Sequence, residues 1–211
     1  MGTIAITDIR RQGEECMTVS VRLENGEERE SYCFTMLSEL FLNLELSVGA
    51  ISRETLCDVE FWARVTDAYF SACRSFAFTP SSFNMLRTKL IQKGFERGVA
   101  EQAIELLRSK GYVDEQDIAL RRAELMVGKL WGQTRILAKL REEGFGDEAS
   151  DAVCDYLESI DMVELCARLI DKKYGGVPSE KPQRDKLCAA LYRNGYSPSE
   201  IRLAVARASG A

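Results

Sequence analysis

Three copies of one short pattern constrain this chain more than any other feature of its sequence. Each copy has a leucine, three variable residues, a glycine and an aromatic residue, and the three glycines are Gly94, Gly144 and Gly195. A helix commonly ends on a left-handed residue, a conformation that glycine adopts without strain. Successive glycines lie 50 and 51 residues apart, a period typical of helical repeats. The pattern therefore predicts three repeat units in which each glycine ends a helix.

The repeated pattern extends over two helices in each unit, one before and one after the glycine. Apolar spacing predicts a further helix ahead of each of these helix pairs, at 54–77, 115–130 and 161–173. Each unit then has three helices in about 50 residues. Stacked units of this kind form an elongated body, so we expect a mainly α fold with three tandem three-helix repeats in a curved arrangement. The predicted units are helical repeat 1 (51–113), helical repeat 2 (114–160) and helical repeat 3 (161–211).

The first 50 residues differ from the rest, because their apolar residues alternate as in strands. The segment 16–23 alternates, and 30–35 would be its partner strand. Asn25-Gly26 lies between them, and this dipeptide is a strong signal for a two-residue hairpin turn. Residues 3–9 add a third candidate strand, and 36–46 is predicted to be helical. We therefore expect residues 1–50 to form a small antiparallel sheet with a short helix.

Composition argues against several classes of function. The chain has no histidine, which removes the commonest general base. Its seven cysteines include no C-x-x-C pair, so the usual spacing of a zinc site is missing, and no glycine-rich phosphate loop occurs. The early residues do not read as a signal peptide, and no apolar run is long enough for a membrane span. We expect a cytoplasmic protein with free thiols that is not an enzyme and needs no metal or cofactor.

The charged residues are distributed in zones along the chain. The net charge is −5, yet 86–141 carries 12 basic and 7 acidic side chains. Residues 142–164 carry nine acidic side chains and no basic one, and 165–211 is again basic. Such zones suit a protein partner or a weak nucleic-acid contact better than strong, uniform DNA binding. Each zone also fits an ordinary solvated helix face.

Four segments together resemble the RecX family, bacterial regulators of the RecA recombinase. They are MLRTKLIQKGF (85–95), LRSKGYVDEQDIA (107–119), KLWGQTRILAKLREEGF (129–145) and the weaker LCAALYRNGYSPSEI (187–201). The resemblance implies three tandem three-helix units and no catalysis. It also implies binding to RecA and to its filament on single-stranded DNA, where growth, strand exchange and ATP hydrolysis are restrained. Roles in DNA repair, recombination and the SOS response, as a monomer in the cytoplasm, follow from the same resemblance.

Two groups of residues carry the expected roles. We expect Tyr112 to pack in the core, Gly111 and Gly132 to form backbone turns, and Asp114 to cap the following helix. Ser52 is a further predicted N-cap, and Ser197 with Glu200 forms a predicted capping box. The structural motif thus comprises Gly94, Gly111, Tyr112, Asp114, Gly132, Gly144 and Gly195. The candidate contact residues, which we call the basic set, are Arg87, Lys89, Lys93, Arg121, Arg122, Lys129, Arg135 and Lys139.

Two alternatives stay open at this stage. The acidic net charge makes direct DNA contact weak, because non-specific affinity grows with the number of phosphates neutralised. A stand-alone nucleic-acid-binding module acting through 86–141 is nevertheless the alternative function. Trp131 is either a core anchor or an exposed aromatic at a partner interface.

Overall fold

In the computed structural model, which describes residues 3–209, the chain begins with a small antiparallel sheet. Its strand order is β3-β2-β1-β4. The strands are β1 (Thr3–Gln12), β2 (Cys16–Asn25), β3 (Glu28–Leu37) and β4 (Gly49–Ala50). The predicted N-terminal sheet is confirmed, and the two-residue β4, which pairs with β1, is an addition to it.

The turn between β2 and β3 lies one residue later than the sequence predicts. Asn25 still pairs with Glu28, so the two loop residues are Gly26 and Glu27. Gly26 has a φ of 67°, and Glu27 is not among the residues with positive φ. A type II′ turn needs positive φ only at its first central residue, which suits this order. The predicted Asn25-Gly26 turn is therefore wrong by one residue, because the ladder extends through Asn25.

Helices dominate the remainder, and no further strand occurs among the described residues, so the mainly α class is confirmed. A π-helical turn, Ile170–Tyr174, directly follows one of the helices. The helices are α1 (Ser38–Asn43), α2 (Arg53–Phe78), α3 (Phe83–Gln92), α4 (Arg97–Ser109), α5 (Glu115–Gly128), α6 (Gln133–Glu142), α7 (Asp147–Glu158), α8 (Met162–Leu169), α9 (Lys181–Arg193) and α10 (Pro198–Ala208).

The chain divides into two compact units. The first consists of the chain through Thr79 together with Leu86–Val113, and the second of Pro80–Met85 together with the chain from Asp114 onward. The predicted repeat ranges enclose α2–α4, α5–α7 and α8–α10 in turn. Their status as three equivalent repeats, and as domains, stays a prediction.

Each unit has its own core. In the first, strand residues such as Ile6, Val19 and Met36 are buried with Leu56 and Val59 of α2. Alternation along the strands places Ile6, Val19 and Met36 on the covered face of the sheet. In the second, one continuous apolar cluster draws residues from every helix from α5 to α10.

Three predicted N-caps form as the sequence indicates. The Ser52 hydroxyl accepts a hydrogen bond from the N–H of Thr55 at 3.0 Å. Asp114 accepts from two N–H groups in the first turn of α5. Ser197 and Glu200 form a reciprocal capping box at the start of α10. Short polar side chains at these positions satisfy N–H groups that lack an intrahelical partner.

Candidate partner-binding surface

The three glycines of the repeated pattern end their helices in the same way. Gly94, Gly144 and Gly195 have φ values of 91°, 77° and 95°. In each copy the N–H of the aromatic residue donates to the carbonyl of the leucine five residues earlier, at 3.2, 3.1 and 3.4 Å. Each glycine N–H donates to the carbonyl three residues earlier. This pair of bonds is the Schellman motif, so the repeated pattern is a structural helix stop.

The loop after α6 binds the segment that starts α3. The Ser82 hydroxyl donates to the carbonyl of Glu143 at 2.6 Å, and the Asn84 side-chain amide donates to the carbonyl of Gly144 at 2.8 Å. Ser82 is 1% exposed and also accepts from the N–H of Met85. We call this the first loop contact. Side chains make both of its bonds to the loop.

The loop after α9 approaches the start of α6 closely and binds it through two backbone hydrogen bonds. The Gly132 N–H donates to the carbonyl of Asn194 at 2.8 Å, and the Thr134 N–H donates to that of Gly195 at 3.2 Å. A Cβ on Gly132 would lie 2.3 Å from the carbonyl carbon of Gly195. We call this the second loop contact. Gly132 has a φ of −79° and caps α6, so the expected backbone turn is wrong: glycine is needed there for close approach.

Both loop contacts use the same position relative to the repeated glycines. Ser82 and Gly132 lie twelve residues before Gly94 and Gly144, while Asn84 and Thr134 lie ten before them. The second unit therefore makes the same contact twice with different chemistry. The motifs in the sequence did not predict these contacts, although the fixed distance of these residues from the glycines could have indicated them.

Tyr112 does not pack in the core as the sequence suggests. Its side chain is 72% exposed, whereas the next residue, Val113, is 9% exposed. Gly111 has a φ of 65°, so the expected turn at this position is present. The turn directs Val113, and not Tyr112, towards the buried side. The expected packing role of Tyr112 is therefore wrong.

Three members of the basic set belong to α3 and its end. Arg87 and Lys89 are half-buried on α3. Arg87 makes no side-chain hydrogen bond or ion pair with any residue in the described part of the chain. The Lys93 ammonium donates to the hydroxyls of Ser71 and Ser75 on α2, at 3.0 and 2.9 Å. Lys93 thus joins the end of α3 to α2.

Two members of the basic set converge on one carboxylate of the second unit. Arg122 Nε lies 4.0 Å from Glu143, and Lys139 Nζ lies 3.9 Å from the same side chain. Arg122 also donates to the carbonyl of Pro80 at 3.3 Å. Lys139 makes a shorter ion pair with Glu142, at 3.0 Å. Glu143 therefore brings α5 and α6 together beside the first loop contact.

Arg121 and Lys129 are the most accessible members of the set on α5. Arg121 pairs with Asp117 one turn earlier at 2.8 Å, and its side chain is 75% exposed. Lys129 is exposed at the end of α5, and its ammonium has no side-chain partner among residues 3–209. Exposed ion pairs contribute about 0.2–1 kcal/mol. Both cations can therefore bind an outside partner at little cost to the fold.

Arg135 makes two contacts within the second unit. Its guanidinium lies 3.7 Å from the centre of the Trp131 ring and donates to the side-chain oxygen of Asn194 at 2.8 Å. Trp131 packs against the apolar cluster of the second unit. Stacking and a hydrogen bond together hold the guanidinium in place. Trp131 is thus a half-buried anchor beside the second loop contact.

Three of the seven cysteine thiols are held in their protonated form. Burial raises the pKa of the Cys166 thiol to about 12, and burial raises the pKa of Cys154 and of Cys16 as well. A thiol with a raised pKa stays protonated near neutral pH and is a poor nucleophile. No cluster of three or more potential metal ligands occurs in residues 3–209. In the same range, no helix has the length and apolar character needed to cross a bilayer.

The chain is similar to several curated proteins, although no family model matches it. The regulatory protein RecX of Syntrophotalea carbinolica is 33% identical over 142 residues, which cover 64% of this chain and 92% of that protein. The regulatory protein RecX of Xanthomonas axonopodis pv. citri (strain 306) is 31% identical over 120 residues, covering 56% of this chain and 74% of that protein.

Solved structures share the fold. A crystal structure of regulatory protein RecX matches with a TM-score of 0.72 at 17% identity, covering 97% of this chain and 99% of that one. The structure of RecX from Lactobacillus salivarius matches with a TM-score of 0.59, also at 17% identity, covering 70% of this chain and 98% of that one. Taken with the sequence similarity to the curated proteins, these matches show that the chain belongs to the RecX family of regulatory proteins.

Proposed function

We propose that this protein is a non-enzymatic regulator that binds the RecA recombinase, and its filament on single-stranded DNA, and restrains filament growth and ATP hydrolysis. The observation that carries the proposal is the similarity to a regulatory RecX protein over 92% of that protein's length. The setting is DNA repair and recombination in the cytoplasm, as part of the SOS response.

The members of the basic set differ in whether their charged groups already bind another element of the same unit. Lys93, Arg122 and Arg135 hold neighbouring elements of their own unit together. Removing such a cation leaves its acceptors without their donor, so a loss of regulation there would be hard to separate from a loss of stability. We therefore assign these three residues to the stability of the fold and not to partner contact.

The cations at the partner surface are those whose loss costs the fold least. Arg121 and Lys139 make exposed ion pairs within their own helices, and Lys129 has no internal side-chain partner in the part of the chain described. In the first unit, Arg87 of α3 is likewise unpaired in that part of the chain. A guanidinium or ammonium suits the carboxylates of a protein partner and the phosphates of its DNA.

Filament binding tests this assignment. The variant carrying Arg121→Glu and Lys129→Glu should bind RecA filaments on single-stranded DNA about five- to tenfold more weakly than the wild type, because two attractive charges become repulsive. A matched control carries Arg97→Glu and Lys172→Glu. Arg97 makes the same kind of exposed ion pair, with Glu101 one turn later, and both variants change the net charge equally.

The comparison is read by co-sedimentation of labelled protein with the filament, after circular dichroism has shown that both variants are folded. An equal loss in both variants would mean that only net charge matters and would contradict the assignment. Unchanged binding by the first variant would remove Arg121 and Lys129 from the surface.

A second candidate function is a nucleic-acid-binding module that acts alone through 86–141. It is favoured by the excess of five basic side chains in that zone. Binding to a labelled single-stranded oligonucleotide without any partner should then weaken steeply as salt is raised, since each phosphate contact releases counterions. A binding signal that is absent at low ionic strength would eliminate this candidate.

A further inference from the structure

A groove between α9 and α10 has no role in the function proposed above. Its volume is about 680 Å³, and all of its lining residues belong to these two helices. That volume is within the usual range for ligand-binding sites. The groove lies within the second unit and shares no residue with the basic set.

Apolar residues in the walls of the groove follow helical spacing. Cys188 and Tyr192 on α9 lie one turn apart, and Ile201 and Val205 on α10 do the same. Tyr192 is 63% exposed, whereas Ile201 is 6% exposed and forms the floor. Two facing stripes of this kind match the way an amphipathic helix lays its apolar face into a groove. From residue 184 to residue 192 a helix rises about 12 Å, roughly two turns.

Three arginines at the groove determine which helix would fit. Arg184, Arg193 and Arg202 line it, against one acidic residue, Asp185. None of the three guanidinium groups makes a side-chain hydrogen bond or ion pair within the part of the chain that the structure describes. Arg207, also on α10 but outside the groove, pairs with two carboxylates. The groove thus combines an apolar floor with three guanidinium groups that are available to an outside partner.

We propose that the α9–α10 groove docks an acidic amphipathic helix of a partner protein. Leucine-like side chains of that helix contact the apolar floor, and its flanking carboxylates pair with Arg184, Arg193 and Arg202. Arginine is permanently charged and pairs with carboxylates through two parallel bonds. A nucleic acid fits the site less well, because single strands need aromatic platforms for their bases and the groove supplies a single tyrosine.

The proposal does not depend on recombinase binding, and a defined probe tests it directly. The probe is a labelled 14-residue helical peptide with leucine at every third or fourth position and glutamate at the flanking positions. Its matched control has lysine in place of each glutamate. Fluorescence anisotropy with the full chain should show the acidic peptide binding at least about tenfold more tightly, as expected when several exposed charges act together.

Variants then locate the binding. Replacing Arg184, Arg193 and Arg202 together by Gln should weaken acidic-peptide binding about tenfold or more. Ala189→Glu, which places a carboxylate at an exposed position of the groove wall, should do the same without disturbing the core. Arg207→Gln on α10 is the control and should leave affinity unchanged.

Three results would overturn the proposal. The first is equal binding of the acidic and basic peptides, or no binding of either. The second is acidic-peptide binding that survives both groove variants. The third is displacement of the acidic peptide by an oligothymidylate, which would make the groove a nucleic-acid site.

Discussion

The two loop contacts of the second unit bind equivalent loops through different groups. In the first, the hydroxyl of Ser82 and the amide of Asn84 reach the loop carbonyls. In the second, backbone meets backbone at Gly132, with no space for a side chain. The position relative to the repeated glycines is the same in both. The glycine ends its helix in the same way in both copies, whereas the groups that bind the following loop differ: side chains in the first contact and backbone in the second.

This difference predicts which contact tolerates substitution. Side-chain contacts can rearrange when one atom is lost or gained, because rotamers can change. A backbone contact at van der Waals distance cannot, because both chains would have to move. We therefore expect the second loop contact to be the more sensitive of the two.

The largest effect is expected from alanine at the third helix stop. Gly195→Ala combines a left-handed backbone with a Cβ that would lie 2.5 Å from the Arg135 Cβ. Together these should cost about 4 kcal/mol of unfolding free energy. Gly94→Ala is the matched control, since its φ of 91° is nearly the same but a Cβ there would meet nothing within 4 Å. It should cost about 1–2 kcal/mol. Equal losses in urea unfolding would show that close approach is irrelevant.

Alanine at the other side of the second loop contact comes next. Gly132→Ala has no backbone strain, but its Cβ would lie within 2.6 Å of three backbone atoms of Gly195 and Tyr196. We expect a loss of about 3 kcal/mol in urea unfolding. Gly98→Ala in α4 is the control, because its site is open, and it should stabilise the protein by about 0.5–1 kcal/mol. A Gly132→Ala variant as stable as the wild type would contradict the described contact.

The first loop contact should respond less. Ser82→Ala removes a buried hydroxyl that both donates to Glu143 and accepts from Met85, and should cost about 1–2 kcal/mol. The control is Ser159→Ala, whose hydroxyl also donates to a carbonyl at 2.6 Å but is exposed. Because water replaces an exposed hydrogen bond, the control should lose at most about 0.5 kcal/mol. Thermal or urea unfolding of both variants checks this, and equal losses would mean that burial at Ser82 adds nothing.

The smallest expected effect depends on pH and compares Tyr196 with its counterpart Phe145. The Tyr196 hydroxyl donates to the carbonyl of Leu130 at 3.0 Å, and burial raises the pKa of this phenol above its ordinary value of 10.0. Tyr196→Phe should cost about 1 kcal/mol near pH 7. Above pH 10 the unfolded tyrosine loses its proton while the folded one keeps it, so wild-type stability falls as pH rises. The stability gap between the two proteins should therefore narrow from pH 9 to pH 11 in urea unfolding. A constant gap would show that the phenol titrates normally in the folded protein.

Sequence alone predicted the features that depend on neighbouring residues. The caps at Ser52, Asp114 and Ser197 follow from side chains that bond within one helical turn. The helix stops follow from glycine's conformational freedom. Local signals also had limits: the turn at Gly26 depends on where the strand ladder ends, and the exposure of Tyr112 depends on how the turn at Gly111 directs the chain.

Features that depend on distant residues were not predictable in the same way. Gly132 and Gly195 lie 63 residues apart, so their contact appears only once the helices are packed. The candidate surface was predicted from an excess of basic residues. The sequence could not show which of these cations, such as Arg135, bind a side chain of the same chain and which, such as Lys129, do not. The α9–α10 groove was missed for the same reason, because a lack of internal partners cannot be read from composition.

We propose above that this RecX-family protein restrains RecA. The most direct test of this proposal is the rate of ATP hydrolysis by RecA from the same organism on single-stranded DNA, measured while the protein is added at increasing ratios. The rate should fall at sub-stoichiometric protein, because a bound regulator blocks filament growth. An unchanged rate at equimolar protein would contradict it.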